Sequence, residues 1–177
     1  MIPFDIIQSY IIKGVIILII LQAMLLLQNL LYQHTEKAAL EGELSTASFT
    51  FSSEMRQAGY NSSATPFTIA ETSRVEIVGD IDNNGSVEQV RYYLAPMPTS
   101  TKFFLMRTVN GGTPFTAGKN FRKFYLTYYD STGHTTSDLT KIKSISVLAT
   151  IENDAKFYGD YLRSSWQAQI FPPNVNK

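Results

Sequence analysis

Cysteine is absent from this 177-residue chain, and histidine occurs only at His34 and His134. The lack of thiols excludes cysteine nucleophiles, thiolate zinc sites and iron–sulfur clusters, and two histidines exclude a histidine-rich metal site. An excess of charge of one sign is also lacking, since 15 Lys and Arg residues balance 15 Asp and Glu residues. Without a basic excess the chain carries no electrostatic signal for nucleic acid, which we therefore do not expect among its partners.

The signature motifs of several enzyme classes are missing as well. No G-x-S-x-G element surrounds a serine, and Gly111-Gly112 lacks the Lys-Ser/Thr that completes a phosphate-binding loop. His134 and Asp138 lie among many hydroxyl side chains, but their spacing matches no serine hydrolase pattern. We therefore expect a protein that is not an enzyme and that binds no nucleotide.

Charged residues are also missing from residues 14–33, a 20-residue segment rich in Val, Ile and Leu. A hydrocarbon core of about 30 Å needs about 20 helical residues, so this segment is long enough to cross it. A cleaved secretory signal would have a basic start and a shorter apolar stretch, but no basic residue precedes Lys13. A core helix would be amphipathic. The segment therefore predicts a membrane anchor.

Helical periodicity continues beyond the apolar segment. Apolar residues recur at spacings of three and four, with charged residues between them, until Gly59 supplies a helix end. We predict one helix from about residue 3 to about residue 58, whose second half must bury its apolar stripe against the rest of the chain. The stripe consists of Leu40, Leu44, Ala47, Phe51, Met55 and Ala58.

After Gly59 the apolar pattern changes to the period of two that is typical of strands. The sequence predicts an α+β fold, in which one long helix precedes five or six antiparallel strands that lie on its stripe. Three segments follow from this reading: a hydrophobic half-helix at 1–33, its amphipathic continuation at 34–59, and a globular antiparallel β domain at 60–177. The predicted strands cover residues 74–78, 89–94, 102–109, 121–130, 144–152 and 161–171.

Several short motifs resemble one known family. Residues 53–60 (S-E-M-R-Q-A-G-Y) resemble the D-x-R-x-A-G-Y helix ending of W-type minor pilins and J-type minor pseudopilins, members of the type IV pilin-like superfamily. Residues 90–94 (V-R-Y-Y-L) are similar to the family's Y-x-L strand, and residues 128–133 to its Y-x-D strand end before a glycine. Residues 171–174 match its final Pro-Asn segment. The resemblance spans nearly the whole chain.

The resemblance implies a structural subunit of a type IV pilus or a type II secretion pseudopilus. Its partners would be other pilin-like subunits and the membrane. The protein would sit in the inner membrane with its C-terminal domain outside the cytoplasm, and would assemble in the periplasm or at the cell surface. The family has Glu at mature position five, where this chain has Asp5, so Asp5 would pair with the N-terminal ammonium of a neighbouring subunit. A permanently anchored extracytoplasmic binding module and a major filament subunit remain alternatives.

Residues 80–88 (D-I-D-N-N-G-S-V-E) resemble the first nine positions of a calcium-binding loop. The twelfth position, which should be a bidentate Glu, is Arg91, and the residues that follow the segment have the pattern of a strand. Clusters of Asp, Asn and Gly are also ordinary in hairpin turns, so calcium and a plain turn both stand as interpretations. No other cofactor is expected. The oxygen ligands of the calcium interpretation are Asp80, Asp82, Asn84 and Glu88.

Overall fold

A computed structural model describes residues 4–98, 100–157 and 159–176, with residues 4–7, 155 and 176 described by their backbone alone. The described residues form one α-helix, seven strands and a short 3-10 helix, which confirms the predicted α+β fold. The elements are α1 (Phe4–Arg56), β1 (Phe67–Ala70), β2 (Arg74–Gly79), β3 (Glu88–Pro96), β4 (Phe103–Val109), β5 (Phe115–Tyr129), β6 (Ser144–Phe157), β7 (Asp160–Ile170) and η1 (Pro173–Asn176).

The strands form a single antiparallel sheet in which each strand pairs with the next along the chain, in the order β1 to β7. Strand β1 was not predicted, because four residues are too short for the period of two to stand out. Strand β5 begins at Phe115, earlier than predicted, because irregular pairing with β4 near Leu105 breaks the alternation there. The remaining predicted strands are confirmed with shifted ends.

The chain divides into two compact units, Met1–Ala38 and Ala39–Lys177, and the boundary falls inside α1. The second unit contains the hydrophobic core. All six residues of the predicted stripe, from Leu40 to Ala58, are buried, which confirms that the second half of the helix packs on the sheet. Phe49, outside the stripe, is 76% exposed, so this half of α1 is amphipathic.

Phe51 lies at the centre of the contact between α1 and the sheet. Its ring meets the rings of Tyr92, Phe124 and Trp166 edge-on, with centroid distances of 5.1, 5.4 and 6.4 Å. Edge-to-face aromatic pairs contribute about 0.5–1.5 kcal/mol each beyond their buried area. The three partners belong to β3, β5 and β7, so one side chain joins the helix to strands across the width of the sheet.

Two backbone hydrogen bonds join the segment after α1 to the end of β2. Gly59 has a φ of 77°, and its N–H donates to the carbonyl of Val78 at 2.8 Å. The N–H of Asp80 donates in turn to the carbonyl of Tyr60 at 2.9 Å. A Cβ at position 59 would lie 2.9 Å from Pro66 Cγ, so both the positive φ and the close approach require glycine. This junction fixes where the acidic turn after β2 begins.

Candidate functional site

The first half of α1 presents a long, exposed apolar surface. Its most apolar 18-residue window has a mean hydropathy of 2.5, and none of that window is buried. By length and composition this helix can span a membrane. Large apolar side chains that are 42–70% exposed occur at residues 10–12, 15–21, 24–27 and 30–32. They follow one another along every face of the helix, which distinguishes this segment from the amphipathic second half.

A surface of this kind requires an apolar partner. Monomeric soluble proteins rarely expose contiguous apolar patches larger than a few hundred Å². Fully burying one Val, Leu or Ile side chain gains about 1.5–3 kcal/mol relative to leaving it in water. Over so many exposed residues, lipid or other apolar helices are strongly favoured over water as surroundings.

Two charged residues near the start of α1 were singled out by the sequence. The Nζ of Lys13 lies 5.7 Å from the ring centroid of Tyr10, a cation–π distance. A lysine at one end of an apolar segment extends its charge toward lipid headgroups. Asp5 belongs to α1, but its side chain lies outside the described residues, so its role in assembly stays a prediction.

The second candidate is the turn that connects β2 to β3, at residues 80–87. One carboxylate oxygen from each of Asp80, Asp82 and Glu88 lies within 4.8 Å of the other two. Asp80 is 1% exposed and Glu88 9%, whereas Asp82 faces solvent. The structure therefore brings together three of the four predicted calcium ligands in a cluster with one buried and one open side.

Backbone donors hold the two buried carboxylates in place. The N–H of Ile81 donates to Glu88 Oε2 at 2.8 Å, and the N–H of Gly85 donates to Asp80 Oδ2 at 3.0 Å. Gly85 has a φ of 89°, and this left-handed conformation lets the turn fold back over Asp80.

The fourth predicted ligand, Asn84, has a different role in the turn. Its Nδ2 donates to Asp82 Oδ2 at 2.9 Å, and its Oδ1 accepts from the N–H of Ser86 at 2.8 Å. The amide therefore turns its donor, not its oxygen, toward Asp82. In this conformation Asn84 orients a carboxylate of the cluster.

Asn61 is a member of the site that the sequence did not reveal. Its Nδ2 donates to Asp80 Oδ2 at 3.3 Å, although 19 positions separate the two residues. Asn61 follows α1, and it reaches Asp80 only because the helix end is fastened to the end of β2. No local spacing signals such a contact, but the A-G-Y helix ending just before Asn61 marks the junction that creates it.

Thr132 and His134 lie in an exposed turn after β5. The Thr132 hydroxyl donates to Asp130 Oδ1 at 2.7 Å and lies 2.7 Å from His134 Nδ1. The hydrogen bond from Thr132 lowers the pKa of Asp130. Asp138 lies in a separate turn, where it accepts from Thr140.

The fold and the exposed helix together define a class of architecture. A long apolar N-terminal helix whose second half packs on an antiparallel sheet is pilin-like. The sequence matches no known protein-family model, and no curated protein sequence matches it significantly.

Proposed function

We propose that this chain is a structural subunit of a pilin-like filament, a minor pilin or pseudopilin of a type IV pilus or a type II secretion pseudopilus. The observation that carries the proposal is that none of the apolar window of α1 is buried, on the same helix whose second half is built into a folded core. The helix thus combines an apolar assembly segment with a folded head.

The same surface serves two environments in this proposal. Before assembly the exposed side chains lie in lipid, which is as apolar an environment for them as the interior of a protein. In lipid the hydrophobic effect does not drive helices together, so association depends on close packing and on polar contacts. A subunit of this kind therefore needs at least one specific polar contact to select its neighbour and its register.

Asp5 is our candidate for that contact. A carboxylate within an apolar helix bundle is costly unless it is paired. By resemblance to pilins, its partner is the N-terminal ammonium of the adjacent subunit. Such a pair would fix the axial position of one subunit against the next.

We further propose that the role of the chain is structural and not catalytic. The geometry around His134 supports this part of the proposal, because the imidazole lies in an exposed turn where the neighbouring Thr132 hydroxyl donates to Asp130. The partners are then other pilin-like subunits, and the protein occupies the inner membrane with its folded unit outside the cytoplasm. In its assembled form it lies in the periplasm or at the cell surface.

Photo-cross-linking tests the proposal, because the chain has no cysteine of its own and one introduced cysteine gives a single attachment point for a probe. Single cysteines are introduced one at a time across residues 15–21, each is labelled with a thiol-reactive photo-cross-linker, and membranes and sheared filaments are irradiated. We expect cross-links to other pilin-like subunits that recur with helical periodicity. Phe49→Cys, which is exposed on the half of α1 that packs on the sheet, is the control for collision.

The same assay tests Asp5. We expect Asp5→Ala to abolish the periodic cross-links while the protein stays in the membrane, and Asp5→Glu to retain them. A permanently anchored binding module would stay in the membrane without periodic cross-links in any variant. That outcome would contradict filament assembly and favour the anchored-module alternative.

A further inference from the structure

We propose that the turn between β2 and β3 binds a calcium ion through the carboxylates of Asp80, Asp82 and Glu88. The proposal rests on the folded unit alone and does not depend on assembly through α1. Four observations support it: the spacing of the oxygens, the charge of the cluster, the burial of Asp80 and the chemistry of the donors.

The spacing of the oxygens fits one ion. Calcium binds oxygen ligands at about 2.3–2.6 Å, so ligands of one ion lie within about 5 Å of one another. The three carboxylate oxygens lie within 4.8 Å of one another. The register of the sheet maintains this spacing, because Gly79 pairs with Glu88 and closes the turn between Asp80 and the far end of the segment.

The negative charge of the cluster is not neutralised by basic side chains. None of the ion pairs within the described part of the chain involves Asp80, Asp82 or Glu88. The other buried carboxylates differ, since Glu76 pairs with Arg91 and Glu152 with Arg163. Three like charges a few ångströms apart repel one another, and a divalent cation removes that repulsion.

The buried carboxylate of Asp80 supplies an independent argument. Its Oδ2 accepts both available hydrogen bonds, from Asn61 Nδ2 and from the N–H of Gly85. Its Oδ1 is fully buried and accepts no hydrogen bond from the described residues. A buried acceptor without a partner has lost its water without a replacement, and this penalty is larger when the group is charged. A bound cation at the cluster provides the missing partner for this oxygen.

The donor set selects calcium among biological cations. The cluster offers only oxygen atoms, whereas zinc and the later transition metals prefer nitrogen or sulfur. Magnesium requires a small and nearly ideal octahedron, but calcium accepts six to eight ligands in irregular geometry. The exposed side of the turn, at Asp82 and Asn84, leaves room for water to complete such a shell.

Binding at this site would strengthen the junction between the helix and the sheet. Asp80 receives a hydrogen bond from Asn61 and donates its own N–H to the carbonyl of Tyr60. An ion that fixes Asp80 therefore also fixes the residues that follow α1. The site would make the stability of the folded unit depend on the calcium concentration around it.

Calorimetric titration of the full chain in detergent with calcium chloride tests the proposal. We expect one ion per chain, with a Kd of about 10⁻⁴ to 10⁻³ M, in the range of extracellular modules. At calcium concentrations about 100-fold above the Kd, the melting temperature should rise by roughly 5–10 °C relative to protein in a chelator. The single tryptophan, Trp166, lies against Phe51 and reports unfolding of the same core.

Two substitutions separate the site from general effects of charge. Asp82→Asn changes an exposed side chain, so the fold is kept, and it should weaken calcium binding at least tenfold. Asp138→Asn makes the same change in another exposed turn and should leave binding unchanged. No heat of binding and no thermal shift with about 10 mM calcium would overturn the proposal. Equal binding by Asp82→Asn, or equally tight binding of magnesium, would also overturn the calcium assignment.

Discussion

At the scale of single residues, Glu54 joins α1 to β3 and β4. It accepts hydrogen bonds from the Tyr92 hydroxyl at 2.7 Å, from Arg107 Nε at 2.9 Å and from Arg107 Nη2 at 2.6 Å. Glu54 and Arg107 are 13% and 15% exposed, so solvent screens this ion pair only weakly. We predict that Glu54→Ala lowers the free energy of unfolding by about 3 kcal/mol, because a partly buried guanidinium loses its partner. Urea unfolding followed by Trp166 fluorescence measures this loss.

An exposed ion pair provides the control for Glu54. Glu71 and Arg74 form a salt bridge at the surface, with side chains 54% and 43% exposed. Exposed pairs contribute little because water and salt screen them. Glu71→Ala should therefore have a much smaller effect than Glu54→Ala. Equal losses for the two variants would show that burial does not govern the strength of these contacts.

Two buried tyrosines predict how the stability depends on pH. Burial raises the pKa of the Tyr92 phenol, with the charge of Glu54 as a further cause, and burial likewise raises the pKa of Tyr128. The folded state therefore favours the neutral phenols, and their contribution is complete below about pH 10, the pKa of an unperturbed tyrosine. Above that pH the unfolded chain loses protons first, so the free energy of unfolding falls.

Thermal unfolding between pH 8 and pH 11 measures this effect. Each buried phenol should contribute about 1.4 kcal/mol of lost stability per pH unit above pH 10. Tyr128→Phe removes one of the two titrating groups and should make the alkaline decline shallower, although the variant is less stable at neutral pH. The same steepness in the parent and the variant would contradict the assigned cause.

At the scale of secondary-structure elements, one aromatic side chain lies at the centre of the packing of α1 on the sheet. Phe51 is 1% exposed and meets three aromatic rings on β3, β5 and β7. We predict that Phe51→Ala lowers the free energy of unfolding by about 3–5 kcal/mol, because the contact area is lost and a cavity remains. Denaturant titration with Trp166 fluorescence is the measurement.

Phe49 is the matched control on the same helix. It lies two positions away and is 76% exposed, so Phe49→Ala removes the same atoms from water and not from the core. We expect a change within about 0.5 kcal/mol. Equally small losses in the free energy of unfolding for Phe51→Ala and Phe49→Ala would contradict the described packing of α1 against the sheet.

The sequence predicted elements well where periodicity and burial coincide. The stripe of α1 and the strands that build the core alternate regularly, because each has one buried face. Strand β1 is too short to show such a period, and the early part of β5 contains irregular pairing that breaks it. The local spacing of Asp80, Asp82 and Glu88 also predicted the carboxylate cluster of the turn. The contact of Asn61 with Asp80 depends on where the chain returns after α1, and no local pattern carries that information.

At the scale of the whole molecule, one helix takes part in two kinds of environment. Its second half belongs to the compact unit Ala39–Lys177, where the stripe is covered by the sheet. Its first half, in the unit Met1–Ala38, carries an apolar window that is not covered by any of the described residues. The central claim is that this window lies in lipid or against other apolar helices, while the remainder folds in water.

Liposome flotation of the full chain and of residues 35–177 tests that claim most directly. Each protein is mixed with vesicles as detergent is removed, and the gradient is analysed for the fraction that rises with lipid. We predict that the full chain floats with the vesicles, and that residues 35–177 remain at the bottom as a folded monomer. If neither protein rose with the vesicles and both stayed dissolved and monodisperse without detergent, the claim would be contradicted.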